Sequence, residues 1–260
     1  MQIKIEQAKI KDIAIAYRTL GSLDKAKKYL LVLHGWNTTG AKIWENFINQ
    51  FEAVSSTDEL CIIALDMPGF ALSSPPKTVW SPAQYAEFVV DFLVHLRIKD
   101  YSKVSLLGHS FGGGVCSILA ANYSFQKLFL VAPAIVRDQS NSSKKTIQKI
   151  TKFAKRIVKS KWIKKLWYQI IGSQDYLNST GIMKDIFRVV VTTDLQAYLK
   201  RISIPTLIIW GDRDTYTPIE QAAVIQKQLK NSKLIVFPGI NHGVHIHSHY
   251  QLYKTVIDNY

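Results

Sequence analysis

At 260 residues, with 47% hydrophobic and 20% charged side chains, the chain can bury a large core and is neither disordered nor fibrous in composition. Its two cysteines, Cys61 and Cys116, both stand in apolar segments and exclude a disulfide scaffold. The net charge of +14 is the unusual bulk quantity. The length suits one large α/β domain with an insertion, or two small domains.

The opening Met1-Gln2-Ile3-Lys4-Ile5-Glu6 alternates like a strand and lacks the long apolar stretch of a signal peptide. No run approaches the ~18 apolar residues of a membrane span, so a cytoplasmic location is expected. Residues 2–18 predict two alternating strands that turn at Gln7-Ala8-Lys9. Residues 29–33 form a compact apolar strand running into His34-Gly35-Trp36-Asn37, and 41–53 have helical spacing with Trp44, Phe47, Ile48 and Phe51 on one face. A buried strand at 60–65 ends at Asp66-Met67-Pro68-Gly69-Phe70, and a helix is expected over 82–97. Further strands are expected at 104–108, 128–131, 206–210 and 234–237, with a helix after Pro218 and another over 248–258. Short apolar strands alternating with helices predict a mostly parallel sheet with helices on both faces. In such sheets ligands sit at the carboxyl ends of the strands.

The alternation breaks between 137 and 203. That segment carries fifteen Lys and Arg but only four acids, Asp138, Asp175, Asp185 and Asp194. Most of the surplus charge therefore belongs to one insertion. Residues 142–171 fit a helix with Ile147, Ile150, Ala154, Ile157, Ile163, Leu166 and Ile170 on an apolar face. The segment is read as a helical, lysine-rich cap (137–203) on a core of residues 1–136 and 204–260. Its lysines are expected to be solvated, or to make weak contact with an anionic surface or acidic carrier. Nucleic acid is not expected as a partner, because no reading motif is present.

Around Ser110 the chain reads Gly108-His109-Ser110-Phe111-Gly112-Gly113-Gly114. A Gly-x-Ser-x-Gly stretch between a strand and a helix holds a serine at the tip of a strained turn. A serine hydroxyl needs a base, and the base needs an orienting group. Gly211-Asp212-Arg213-Asp214 and Asn241-His242-Gly243 follow in that order, each just after a strand.

Together with His34-Gly35, Asp66-x-Pro68-Gly69-Phe70-x-x-Ser73 and Asp214-x-x-x-Pro218, these motifs make the chain resemble the α/β-hydrolase superfamily over nearly its whole length. The resemblance implies Ser110 as nucleophile, His242 as general base and acid, and Asp214 as the orienting carboxylate, with Asp212 as rival. It implies an oxyanion hole from the backbone N–H groups of Trp36 and Phe111. His34, Gly35, Trp36 and His109 are expected around the substrate pocket, the two histidines chiefly as parts of turn motifs, and Asp66 as a support for its own turn. Asn37 and Ala71 stand where the family often has Gly, which leaves those two loops less determined. Relatives that use an elbow aspartate include epoxide hydrolases and haloalkane dehalogenases; Ser110 argues instead for acyl transfer. A cofactor-free hydrolase of small-molecule carboxylic esters or lactones is expected. The alternatives are a C–C hydrolase of ring-cleavage products, a methyl-ester esterase acting on an acidic acyl carrier, and a non-catalytic ligand-binding module. No metal is expected: His245, His247 and His249 alternate, but without a carboxylate or cysteine beside them they read as packing or surface residues.

Overall fold

The computed structural model describes residues 2–137 and 180–260. Eight strands form one sheet: β1 (Lys4–Ile10), β2 (Ile13–Leu20), β3 (Lys28–Leu33), β4 (Leu60–Leu65), β5 (Val104–His109), β6 (Lys127–Val131), β7 (Thr206–Gly211) and β8 (Ser232–Phe237). Their spatial order is β1-β2-β4-β3-β5-β6-β7-β8. β1 and β2 are antiparallel to each other and β2 to β4, while every pair from β4 to β8 is parallel. β3, β4 and β5 read as unbroken apolar runs because both their faces are covered.

The first hairpin corrects the sequence reading. Gln7, Ala8 and Lys9 lie within β1, paired with Ala16, Ile15 and Ala14, and the chain turns at Lys11-Asp12 between the paired Ile10 and Ile13. Lys11 takes the positive φ of 53° that the tight reversal demands. The alternation of β1 runs unbroken through residues 7–9, so their polarity marks an outer strand, not a turn.

The pleat sends alternate side chains to two cores. On one side, Leu106, Ile208 and Trp210 meet Tyr85, Val89 and Phe92 of α1 (Pro82–His95) and Val115 and Leu119 of α2 (Phe111–Asn122). On the other, Leu107, Leu207 and Ile209 meet Trp44, Phe47 and Phe51. The expected helix over 41–53 is broken into short 3₁₀ and α turns, Gly40–Trp44, Glu45–Ile48, Asn49–Phe51 and Glu52–Ser55. These turns still bury the four apolar residues that the spacing singled out. Ser81 starts α1 with a reciprocal capping box to Gln84 and Pro82 at its first position. Both thiols are buried, and burial pushes Cys61 up to about 12, which leaves it an inert packing group.

Within the expected cap, α3 (Ile182–Thr192) is helical and places Met183, Ile186 and Val190 in the first core. The lysine-rich stretch 144–165 and the apolar face from Ile147 to Ile170 lie outside the described residues. No helix among the described residues is long and apolar enough to cross a membrane.

One ion cluster ties β2 to the loop after β4. Arg18, 3% exposed, donates to Asp66 Oδ1 at 3.1 Å and to Glu45 Oε1 at 3.1 Å. The same Asp66 oxygen accepts the Ala41 N–H at 2.6 Å, and the Asp66 carbonyl accepts from Ser73 Oγ at 2.6 Å. Asp66 thus holds two turns together. Removing one partner of a buried pair strands the other charge. Arg18→Met is expected to lower unfolding stability by about 3–5 kcal/mol, whereas Lys77→Met, which breaks the exposed pair with Asp12, should change it by less than ~1 kcal/mol. Urea unfolding of both variants decides the matter, and equal effects would show that burial is not what gives the Arg18 pair its weight.

Candidate functional site

β5 delivers its last residue, His109, to the edge of the sheet, and α2 begins at Phe111. Ser110 makes the entire turn alone, at φ 50° and ψ −116°, a backbone state that costs a non-glycine residue about 1–3 kcal/mol. Its N–H donates to the Val131 carbonyl (3.0 Å), while its own carbonyl accepts from Gly114 (3.1 Å) and Ala134 (2.9 Å). Glycine is needed twice nearby. A Cβ on Gly112 would collide with the carbonyls of Leu33 and His34, and one on Gly35 would come within 2.7 Å of His109 Nδ1 and 3.2 Å of Ser110 Cβ.

Asp214 and His242 are brought together from the ends of β7 and β8. His242 Nδ1 lies 2.7 Å from Asp214 Oδ2, with the carboxylate side chain fully buried and the imidazole 18% exposed. Asp214 is a carboxylate surrounded by donors: the N–H groups of Tyr216 (2.8 Å) and Thr217 (3.0 Å) and the Thr217 hydroxyl (2.8 Å). Burial pushes its pKa up, but the bonds from His242 and Thr217 outweigh that, so the net shift is downward. Asp212, the rival acid, instead accepts the Gly239 N–H at 2.6 Å and makes no bond to His242.

Ser110, His242, Gly35, Trp36, His109 and Phe111 all line one cavity of about 500 Å³. Phe111 is the first residue of α2, where backbone N–H groups have no partner within the helix. The Trp36 ring packs edge-on against Phe70 (4.8 Å), Phe111 (5.6 Å) and Phe187 of α3 (5.0 Å between centroids). Asn37 closes its own turn, accepting from Thr39 N at 2.8 Å and donating to the Gly35 carbonyl at 3.0 Å. Ala71 accepts the left-handed φ of 46° that a glycine would adopt more readily.

His34 departs from the pocket role. It is wholly buried behind the wall and does not line the cavity. Its Nδ1 lies 2.6 Å from the Gly35 carbonyl and its Nε2 accepts the Met67 N–H at 3.0 Å, so both nitrogens serve the backbone of two loops. His109 does reach the wall, and its Nε2 bonds the His242 carbonyl at 2.9 Å, which registers the two loops against each other. His245 also reaches the cavity wall, but it is 3% exposed, stacked on Trp44 at 4.5 Å, with its ring 4.2 Å from His109. Among the described residues no cluster of three or more His, Cys, Asp or Glu is arranged to hold a metal.

The sequence reading missed Thr217, whose hydroxyl also lies 3.3 Å from His242 Nδ1, and Tyr216, whose exposed ring sits 5.2 Å from the His242 ring. An Asp-x-x-Thr spacing after a strand is a local turn signal and pointed to Thr217.

A mostly parallel sheet, a strained serine between strand and helix, and an acid–histidine pair at the ends of β7 and β8 define a nucleophile-elbow α/β architecture. The alpha/beta hydrolase fold family matches residues 28–158, and the chain belongs to it. It is similar to mouse Epoxide hydrolase 4 (24% identical, covering 86% of this chain and 70% of that protein). It is likewise similar to the pimeloyl-[acyl-carrier protein] methyl ester esterase of Legionella pneumophila strain Corby (25% identical, covering 89% and 94%). Among solved structures an esterase from Exiguobacterium antarcticum superposes with a TM-score of 0.73 at 20% identity, covering 97% of this chain and 98% of that one.

Burial drives three histidines neutral: His34 falls to about 4 and His245 to about 3, while His109 lies well below its usual value. Unfolded, each titrates near 6.5. The unfolded chain therefore binds more protons below pH ~6.5, and their contribution to stability is complete above that pH and lost as pH falls toward 4 and 3. Each histidine adds a slope of up to about 1.4 kcal/mol per pH unit in that window. In urea titrations from pH 7 to 5, His245→Phe is expected to remove one proton from the slope; an unaltered slope would mean that His245 is not kept neutral.

Proposed function

We propose that the protein is a serine hydrolase that cleaves small-molecule carboxylic esters, lactones among them, through an acyl-enzyme on Ser110. The observation that carries this reading is the Asp214–His242 bond of 2.7 Å opening onto the cavity that Ser110 also lines. With Nδ1 committed to Asp214, Nε2 of His242 is the nitrogen that takes the Ser110 proton as Oγ attacks the carbonyl carbon. The same proton then passes to the departing alkoxide. Water, deprotonated by His242, attacks the acyl-enzyme, and the proton returns to Ser110 as the acid leaves. The backbone N–H groups of Trp36 and Phe111 are assigned to the oxyanion, where each donor contributes on the order of 10²-fold or more.

A serine at the elbow also weighs against epoxide opening despite the likeness to an epoxide hydrolase. Attack on an epoxide carbon would leave an alkyl ether, which water does not hydrolyse, whereas an acyl ester turns over. We assign residues 137–203 to a cap over the cavity, supported by α3, where Phe187 packs on Trp36 and a Cβ on Gly69 would run into Met183.

Incubation with a fluorophosphonate should label Ser110 alone, as peptide mass spectrometry would show. Ser110→Ala should abolish labelling and lower kcat/KM for 4-nitrophenyl butyrate by at least about 10⁴-fold, and Asp214→Asn should lower it by about 10⁴-fold while the fold is retained. Turnover that survives Ser110→Ala would overturn the reading.

A further inference from the structure

Arg137 leaves the core just after β6 and lines the same cavity as Ser110 and His242. Among the described residues its guanidinium makes no ion pair, although the Asp194 carboxylate is close enough to act on it through its charge. The Arg137 backbone N–H donates to Asp194 Oδ2 at 2.9 Å, one terminal nitrogen approaches the Val190 carbonyl at 3.4 Å, and Nε is buried with no hydrogen-bond partner. The Asp194 carboxylate is turned elsewhere, to the Arg137 and Gln196 backbone N–H groups and the Gln196 side-chain amide. Burial lowers the Arg137 pKa, and the Asp194 charge offsets only part of that. No Asp or Glu side chain is among the described residues that line the cavity, and Asp214 is buried behind His242. Arg137 is thus the one permanently charged side chain among the described residues of that wall.

From this juxtaposition of a half-buried arginine that makes no ion pair and has an unsatisfied Nε with Ser110 and His242 in one cavity, we infer that Arg137 binds a carboxylate carried by the substrate. The inference rests on the hydrolase reading and narrows it to monoesters that bear a free carboxylate on the acyl or the alcohol side. A guanidinium Nε shut off from solvent with no acceptor is unfavourable. A carboxylate matches its planar donors and its single charge, whereas a phosphate dianion would bring a second negative charge that no described lining residue balances.

Three probes of similar length test it: 4-nitrophenyl pentanoate, the mono-4-nitrophenyl ester of glutaric acid, and 4-carboxyphenyl pentanoate, all corrected for spontaneous hydrolysis. Wild type should prefer at least one carboxylate ester over the neutral one by about tenfold or more in kcat/KM, expressed mainly in KM. Arg137→Gln should erase that ratio and Arg137→Lys should restore part of it, which a purely structural role would not do. A neutral ester turned over as well as both anionic ones by wild type, or a preference that survives Arg137→Gln, overturns the inference and leaves the hydrolase reading standing. A second arm does not depend on turnover. Glutarate should bind Ser110→Ala protein at least about tenfold more tightly than the Ser110→Ala, Arg137→Gln double variant by calorimetry, and equal affinities overturn the inference as well. Fluorophosphonate labelling reports separately on Ser110, so absent labelling with intact glutarate discrimination would sink only the hydrolase reading.

Discussion

The single-residue reversal at Ser110 is the constraint from which the rest of the site follows. A helix can start one residue after a strand only if that residue leaves ordinary backbone space and the flanking positions give up their side chains. Ser110 adopts φ 50°, and Gly112 lies where any Cβ would strike the carbonyls at the end of β3. That contact fixes how close β3 comes to the elbow. Gly35, next on the same strand end, admits His109 and Ser110 against its Cα. His109, pressed there, reaches across to the His242 carbonyl. The position of the His242 loop, more than a hundred residues away, is therefore registered on the strained turn through one buried imidazole.

Charge is organised around the same turn. Two buried carboxylates are held by donors: Asp66, through Oδ1, by Arg18 and the Ala41 N–H, and Asp214, through both oxygens, by His242, Thr217 and Tyr216. Between them stand His34, His109 and His245, which burial keeps neutral. Neutral histidines bond backbone and stack on aromatics without adding charge beside His242, where a second cation would oppose the imidazolium that forms on the proposed pathway. Packing and electrostatics thus make the same demand on these positions.

The sheet, the elbow and the acid–histidine pair were legible because each is written in short-range chemistry: apolar runs bounded by glycine, and polar residues placed just past strand ends. The hairpin turn at Lys11-Asp12 was not, since Lys11, which takes the left-handed backbone, is not a typical former of it and Gln7-Ala8-Lys9 imitates a turn while lying on an outer strand. His34 and His109 illustrate a second limit. A histidine motif looks the same in sequence whether the ring faces a cavity or only backbone, and it is the partners at Gly35 and Met67 that set His34 apart from the cavity-lining His109. Thr217 and Arg137 show a third, because the weight of each lies in what the fold brings near it, His242 beside Thr217 and, for Arg137, the cavity that Ser110 also lines.

That third limit explains why such a chain reveals its chemistry more readily than its substrate. Ser110, Asp214 and His242 stand on loops whose geometry the sheet dictates through backbone bonds and glycine contacts, so their spacing is repeated in the sequence as motifs. The cavity wall is completed by side chains of α3, Phe187 and Val190 among them, which meet the core through apolar contacts such as Phe187 on Trp36 and Ile186 in the first core. Apolar packing specifies volume and tolerates many residue pairs of similar size. It therefore leaves no fixed spacing to read. A permanent charge with an unsatisfied Nε on that wall is different, because its cost does not depend on shape, which is why the proposed ligand follows from Arg137 and not from the apolar surface around it.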